Sequence, residues 1–356
     1  MITVPELDAT STLLDTDLVM LTHAGGTSEK ITGENLIKMI DQLVAARFEA
    51  GKPMYTAVDS LLDHNTMRVT PKNITSYYQD GSLYRRLNGN YKTGSSGERY
   101  ELFEDLHVGD YFEMSRAISA PNQDSQYAIT GTKWVTIAGI DTLMSNGDQG
   151  SGITYHHLVL VPGKGIDASE KNHFGRKRMN ATNTTQGGYA GSEMNTATIG
   201  QVVSVGSTAE DATINQQLYA EFGSHLKTTR ELLTATTTSD STTTEAVNTN
   251  GYNRFGTPTG CSQNRAWFDC QAVLMSEVEV YGTDIWSSSG FDDGNACEQL
   301  PLFRNKRAMN NRTSYWWLKA VASAAGFCGV GSTGGASSGG ASGASLAVRP
   351  RFVIGA

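Results

Sequence analysis

Residues 314–355 read SYWWLKAVASAAGFCGVGSTGGASSGGASGASLAVRPRFVIG, and no other part of the chain says as much about its fold. An aromatic cluster of Tyr315, Trp316 and Trp317 opens the stretch, and an apolar alternation at Val348, Phe352 and Ile354 closes it. Both are strand signals. Alternation places Tyr315 and Trp317 on one face and Trp316 on the other. By composition alone, the Gly/Ser/Ala run between them would pass for a linker. Flanked by two strands, it reads instead as tight turns and close backbone approach, where a Cβ would clash. The product is a surface of backbone and small side chains carried on an aromatic core. Such a surface displays; an active site would need other residue types.

Composition narrows the class. The 356 residues suffice for two domains and a substantial core. Only 18% are charged, with Gly, Ser, Thr and Asn filling the difference, which suits a turn-rich β fold better than a helical enzyme. A net charge of −8 and the lack of any basic stripe argue against a nucleic-acid partner or an anionic membrane surface. No apolar run approaches membrane-spanning length, and the first residues have neither the basic nor the apolar region of a signal peptide. Cys261, Cys270, Cys297 and Cys328 show no CxxC and no zinc-ligand spacing. Without an export signal the chain is expected to fold in a reducing compartment, with all four as free thiols.

Along the chain, residues 1–50 form a small strand-turn-helix unit. Residues 18–21 read as a short strand, Gly25-Gly26 as a turn and Thr32 as a helix N-cap. Leu36, Ile40, Leu43 and Val44 then fall near helical spacing, and so short a helix is expected to bury its stripe against copies of itself. Residues 51–98 read as a connector. It contains an echo, Val69-Thr70-Pro71-Lys72-Asn73-Ile74, of the earlier Ile31-Thr32…Asn35-Leu36. Residues 99–356 are the main domain. In it, 134–140 and 156–161 read as strands and 174–195 as a long candidate functional loop. Residues 215–233 read as a helix, 234–250 as a Thr/Ser surface tract, and 266–281 as strand with Val278 and Val280 inward and Glu277 and Glu279 outward. Mixed strands, one or two helices and long loops give an α+β class.

No constellation here demands chemistry. His156 and His157 face opposite sides of a strand, so they ligate one ion poorly, and one of them reads as a hydrogen-bonded core histidine. Asp292-Asp293-x-Asn295 offers oxygens but lacks the Gly and distal Glu of an EF-hand loop. Glu277 and Glu279 resemble a carboxylate pair, but any strand with alternating charge offers one. There is no nucleophile elbow, Walker loop or zinc-protease motif. No catalytic residue, metal or cofactor is expected.

The terminal pattern Y-W-x-L-[RK]-x-x-x-S followed by [GA]-V-R-P-x-F-x-[IL] resembles the C-type-lectin-like domain of phage tail proteins and gut bacterial surface proteins. The family includes variable receptor-binding proteins. The marks are Tyr315, Trp317, Leu318, Lys319 and Ser323, then Val348, Arg349, Pro350, Phe352 and Ile354. Tyr155–Pro162, Met179–Tyr189 and Ser276–Gly282 agree as well, so the resemblance spans roughly residues 96–356. Lys319 stands where Arg is usual, which removes a planar bidentate donor. Residues 1–50 resemble the virion-attachment segment of phage fibres. The resemblance implies a phage fibre or receptor-binding protein, assembled into virions in the host cytoplasm as a homotrimer. Its N-terminus would join other virion proteins, and its C-terminal domain would adhere to a host-surface glycan or protein. The alternatives are a structural head fibre, decoration or tail adaptor protein, and, further off, a glycan-degrading enzyme. Ligand contact is expected at Trp286, Arg312, Tyr315, Phe327 and Val330. Ser332, Thr333, Ser337 and Ser338 complete that surface.

Overall fold

The computed structural model describes residues 64–68, 70–88, 106–124, 128–144, 146–148, 152–167, 172–204, 212–237, 265–287, 298–309, 314–343 and 345–356, with the backbone of 18–22 and 28–32. The chain divides into two compact units, Met1–Asp63 and His64–Ala356. In the first, β1 (Leu18–Thr22) and β2 (Ser28–Thr32) pair antiparallel, from Leu18 opposite Thr32 to Thr22 opposite Ser28. Thr32 ends β2, as a β-branched residue after Ile31 readily does, and the helix it is expected to cap lies outside the described residues. Leu36, Ile40, Leu43 and Val44 lie outside the described residues, as do Arg312, Cys261, Cys297 and Asp292 to Asn295.

The second unit begins inside the expected connector. Helices α1 (Thr75–Gln79) and α2 (Ser82–Leu87) bury Ile74, Leu83 and Leu87 in the main core. The Ile74 N–H donates to Tyr111 O at 2.8 Å, and Tyr78 stacks on Phe112 at 4.8 Å between ring centroids. Burying three large aliphatic side chains at about 1.5–3 kcal/mol each makes this segment part of the domain, so 51–98 is not connector throughout.

β3 (Tyr111–Ile118), β4 (Thr132–Ile140) and β5 (His157–Pro162) follow as an antiparallel meander, with β4 and β5 covering the two strands expected at 134–140 and 156–161. β6 (Arg176–Lys177) lies in the expected functional loop. That loop is largely packed: Phe174, Met179, Tyr189 and Met194 are buried in the core, and the Tyr189 hydroxyl accepts the Leu274 N–H at 3.1 Å. Only around residues 181–183 does it stay exposed over a run of positions.

α3 (Ile214–Phe222) is N-capped by Thr213, whose hydroxyl accepts the Gln216 N–H. It stops at Gly223, whose φ of 56° suits a residue without a Cβ. Leu226 and Leu233, expected within the helix, instead enter β7 (Leu226–Lys227) and β8 (Thr229–Thr234), where Thr229 and Thr234 favour extended backbone. β9 (Arg265–Cys270) pairs with β8, and β10 (Ala272–Leu274) leads into α4 (Glu277–Tyr281). A 3₁₀ turn (Pro301–Arg304) and α5 (Lys306–Met309) precede β11 (Trp316–Ser323), β12 (Gly326–Val330), β13 (Ala336–Gly340), β14 (Leu346–Ala347) and β15 (Pro350–Gly355).

Beside the β8-β9 pair, two larger sheets organise the strands of the second unit among the described residues. One runs β10-β15-β5-β4-β3, with β7 also paired to β15; the other runs β13-β12-β11-β14-β6. The result is mixed α and β, mostly sheet with a few short helices. β15 lies inside the first sheet and is buried along its whole length, so the apolar run Phe352-Val353-Ile354 packs on both faces. Trp316 and Trp317 are both buried although they point to opposite faces of β11, because each face is covered. Their ring N–H groups donate to Met309 O at 3.2 Å and Lys177 O at 2.7 Å. Cys270 is a free thiol, in agreement with the reading for that residue, and both Cys270 and Cys328 are buried.

Candidate functional site

The site is organised by α4. Ser276-Glu277-Val278-Glu279-Val280 alternates as a strand would, yet it forms a helix with both glutamates buried and Val278 only half-buried. End signals decide this. The Ser276 hydroxyl accepts the Glu279 N–H at 3.0 Å and Glu279 reaches back to the Ser276 N–H at 2.8 Å, a reciprocal capping box, while Gly282 closes the helix in the left-handed region. The expectation of outward-facing Glu277 and Glu279 is thus reversed. Helical rotation turns both carboxylates inward, where each has its own partners.

Glu277 clamps the following loop. Its carboxylate accepts the N–H groups of Ile285 at 2.9 Å, Trp286 at 3.0 Å to both oxygens, and Ser287 at 2.7 Å. The clamped loop presents large apolar side chains to solvent: Trp286 is 54% exposed and Ile285 50%. An aromatic left in water on a backbone fixed by three charge-assisted bonds is pre-organised for contact.

α4 also holds the turn between β12 and β13. Tyr281 donates its hydroxyl to Gly334 O at 3.3 Å. Burial, followed by the Glu277 charge, pushes this phenol well above its ordinary range, so it remains a donor. Gly331 N–H donates to Gly335 O at 2.6 Å, and Gly334 closes the turn with φ +87°, a conformation that L side chains rarely adopt. Ser332 and Thr333 sit on this turn, half-buried and exposed respectively. Trp316 pairs with Val330, so the same register carries Tyr315, 46% exposed, toward Gly331.

Beyond the turn, β13 is the outer strand of its sheet among the described residues, with Ser338 exposed and Ser337 half-buried. Asn183, from the exposed part of 174–195, lies so close to Gly340 that a Cβ there would meet its Oδ1 at 3.2 Å. The structure thus leaves Trp286, Tyr315, Ser332, Thr333, Ser337 and Ser338 with full or partial access to solvent. Phe327 and Val330 are corrected: both lie on β12, which is buried throughout between β11 and β13, and the large apolar side chains of a small-residue stretch go to the core.

Beneath α4 lies a four-membered ion cluster that sequence reading missed. Glu231 of β8, Glu279 of α4, Lys319 of β11 and Arg351 of β15 are all buried. Arg351 pairs through Nε with Glu279, and through Nη2 with Glu231 at 2.8 Å. Lys319 Nζ stands 3.7 Å from both carboxylates, a point charge placed between two acids. Burial alone would push the Glu279 carboxyl up, but Arg351 and then Lys319 outweigh it and hold it below the usual range. Two acids balance two bases, so the cluster ties α4 to both sheets with no net charge. The available signal was two arginines, Arg349 just before the otherwise apolar β15 and Arg351 inside it. Arg349 is buried too: its guanidinium donates to Ala308 O at 2.9 Å and lies over Trp316 at 5.0 Å and Phe303 at 5.3 Å, while burial lowers its pKa to about 9.

Of the two histidines, His157 is the core one. Its Nε2 accepts the Leu143 N–H at 3.1 Å, whereas His156 stays half-exposed against Asp141 at 2.7 Å. Among the described residues, no group of three or more His, Cys, Asp or Glu side chains is arranged to hold a metal ion. No protein-family model, curated protein or solved structure matches the chain.

Proposed function

We propose that this chain is a receptor-binding protein of a bacteriophage virion, with a C-type-lectin-like head that adheres to a glycan or protein on the host surface without altering it. The observation that carries the reading is the exposed Trp286, fixed by buried Glu277 on the same short helix that ties down the Ser332-Thr333 turn. An aromatic face beside hydroxyls and backbone is a recognition surface. The two carboxylates that a hydrolase reading would use are engaged, Glu277 by backbone N–H groups and Glu279 by Arg351. In this reading the first unit joins other virion proteins, and Leu36, Ile40, Leu43 and Val44 form the seam of a homotrimer.

The test is adsorption. Purified protein is added to cells of a susceptible bacterium, and bound protein is compared for the wild type, Trp286→Ala and Ser332→Arg. Both changes lie at exposed or half-exposed positions, so the variants should fold and lose cell binding by about tenfold or more. Wild-type adsorption by both variants would place contact elsewhere. Binding to virion parts but not to cells would favour the scaffold alternative, and shortened surface glycan would favour a hydrolase.

A further inference from the structure

The 3₁₀ turn and the first turn of α5 face residues 65–67 across an open cavity of about 450 Å³. Sites for small molecules commonly enclose about 300–1,000 Å³. Met67 and Pro301 supply apolar wall, and Thr66, Arg304 and Lys306 supply polar groups. Asn65, also in the lining, has its amide occupied: it accepts the Ile140 N–H and donates to Ile140 O, each at 2.9 Å, which fixes this wall to β4. Asn305 is likewise held, its Oδ1 accepting the Arg307 N–H at 3.0 Å.

The charge here runs against that of the whole chain. With 36 acidic and 28 basic residues the protein is acidic, yet among the described residues no Asp or Glu lines this cavity. Arg304, Lys306 and Arg307 are exposed, and among the described residues none forms a salt bridge. Cations crowded into four consecutive positions repel one another, and an anion between Arg304 and Lys306 would relieve this. A guanidinium fork matches a carboxylate or a phosphate through two parallel bonds, with the ammonium as a second point charge.

We propose that this cleft binds an anionic saccharide, its carboxylate or phosphate held by Arg304 and Lys306 and its apolar ring face against Met67 and Pro301. The anion site rests on the cavity alone; that the anion is carried on a sugar rests on the adhesin reading. Calorimetric titration of the full chain tests the site without cells, so it can fail while adsorption succeeds, and the reverse.

The probes are trigalacturonic acid, its methyl ester and glucose 6-phosphate. At least one of the two anions should bind, more weakly as salt is raised, and the better one identifies the source as carboxylate or phosphate. The neutral ester should not bind. Arg304→Ala/Lys306→Ala should weaken the anion by about tenfold or more, whereas Lys133→Ala, an exposed charge on β4, should change nothing. Thermal melts should show both variants folded. The proposal is overturned if neither anion binds at millimolar concentration, if the ester binds as well as the acid, or if the double variant binds like the wild type.

Discussion

Glu277→Gln tests whether one buried carboxylate sets the recognition surface. In the native chain this group accepts three backbone N–H groups at 2.7–3.0 Å. Bonds of this charged kind contribute about 1.5–3 kcal/mol each. The amide can place its one oxygen where Oε2 accepts all three N–H groups, but those bonds become neutral ones of about 0.5–1.5 kcal/mol, and its NH₂ donor faces the Trp286 N–H in place of Oε1. The local cost is then about 3–5 kcal/mol. Residues 285–287 are mostly exposed, so this cost should appear as local opening, with the sheets left intact. Amide hydrogen exchange reads it directly. At about 1.4 kcal/mol per tenfold, the amides of Ile285, Trp286 and Ser287 should exchange about a hundredfold faster or more, while those of Leu160 and Val353 keep their protection. Cell binding should fall with the exchange, because the ligand must then order the loop itself. Unchanged exchange at 285–287 would refute the clamp. Equal acceleration throughout the second unit would mean that Glu277 supports the fold as a whole.

Two further outcomes follow from the ion cluster. Arg351→Met leaves Glu231 and Glu279 buried with only Lys319, 3.7 Å away, and should cost about 3–5 kcal/mol in denaturant unfolding; a loss below about 1 kcal/mol would mean the cluster is not sealed from water. The cluster also sets a pH dependence. A carboxyl whose folded pKa is depressed contributes fully above its ordinary value, 4.5 for Glu279, and that contribution is lost as pH falls through the folded value. Stability should therefore fall on the acid side of pH 4.5, and Glu279→Gln should flatten that fall; an unchanged acid limb would exonerate Glu279.

Much of this protein is legible without its tertiary structure. Strands β4 and β5 follow from runs of β-branched and apolar residues, and β11 from its aromatic opening, because strand formation depends on side-chain shape and period. Full or partial access of Ser332, Thr333, Ser337 and Ser338 to solvent is legible too, since small polar residues in turns stay near water. Local signals were present but lost to periodicity at two places. Glu277 to Val280 alternates like a strand, yet Ser276, Glu279 and Gly282 already spell the helix ends, and Gly223 already marks where α3 must stop. The ion cluster is different in kind. Glu231, Glu279, Lys319 and Arg351 come from four elements, and the Arg351 bonds span 120 and 72 positions of chain. No local rule couples residues so far apart: whether a charged side chain faces water or a partner is decided when the sheets close over it. The same closure buries Phe327 and Val330 while leaving their serine neighbours outside. Sequence alone therefore set β4, β5, β11 and the small-residue turn after β12, and packing decided which charges lie buried between the elements.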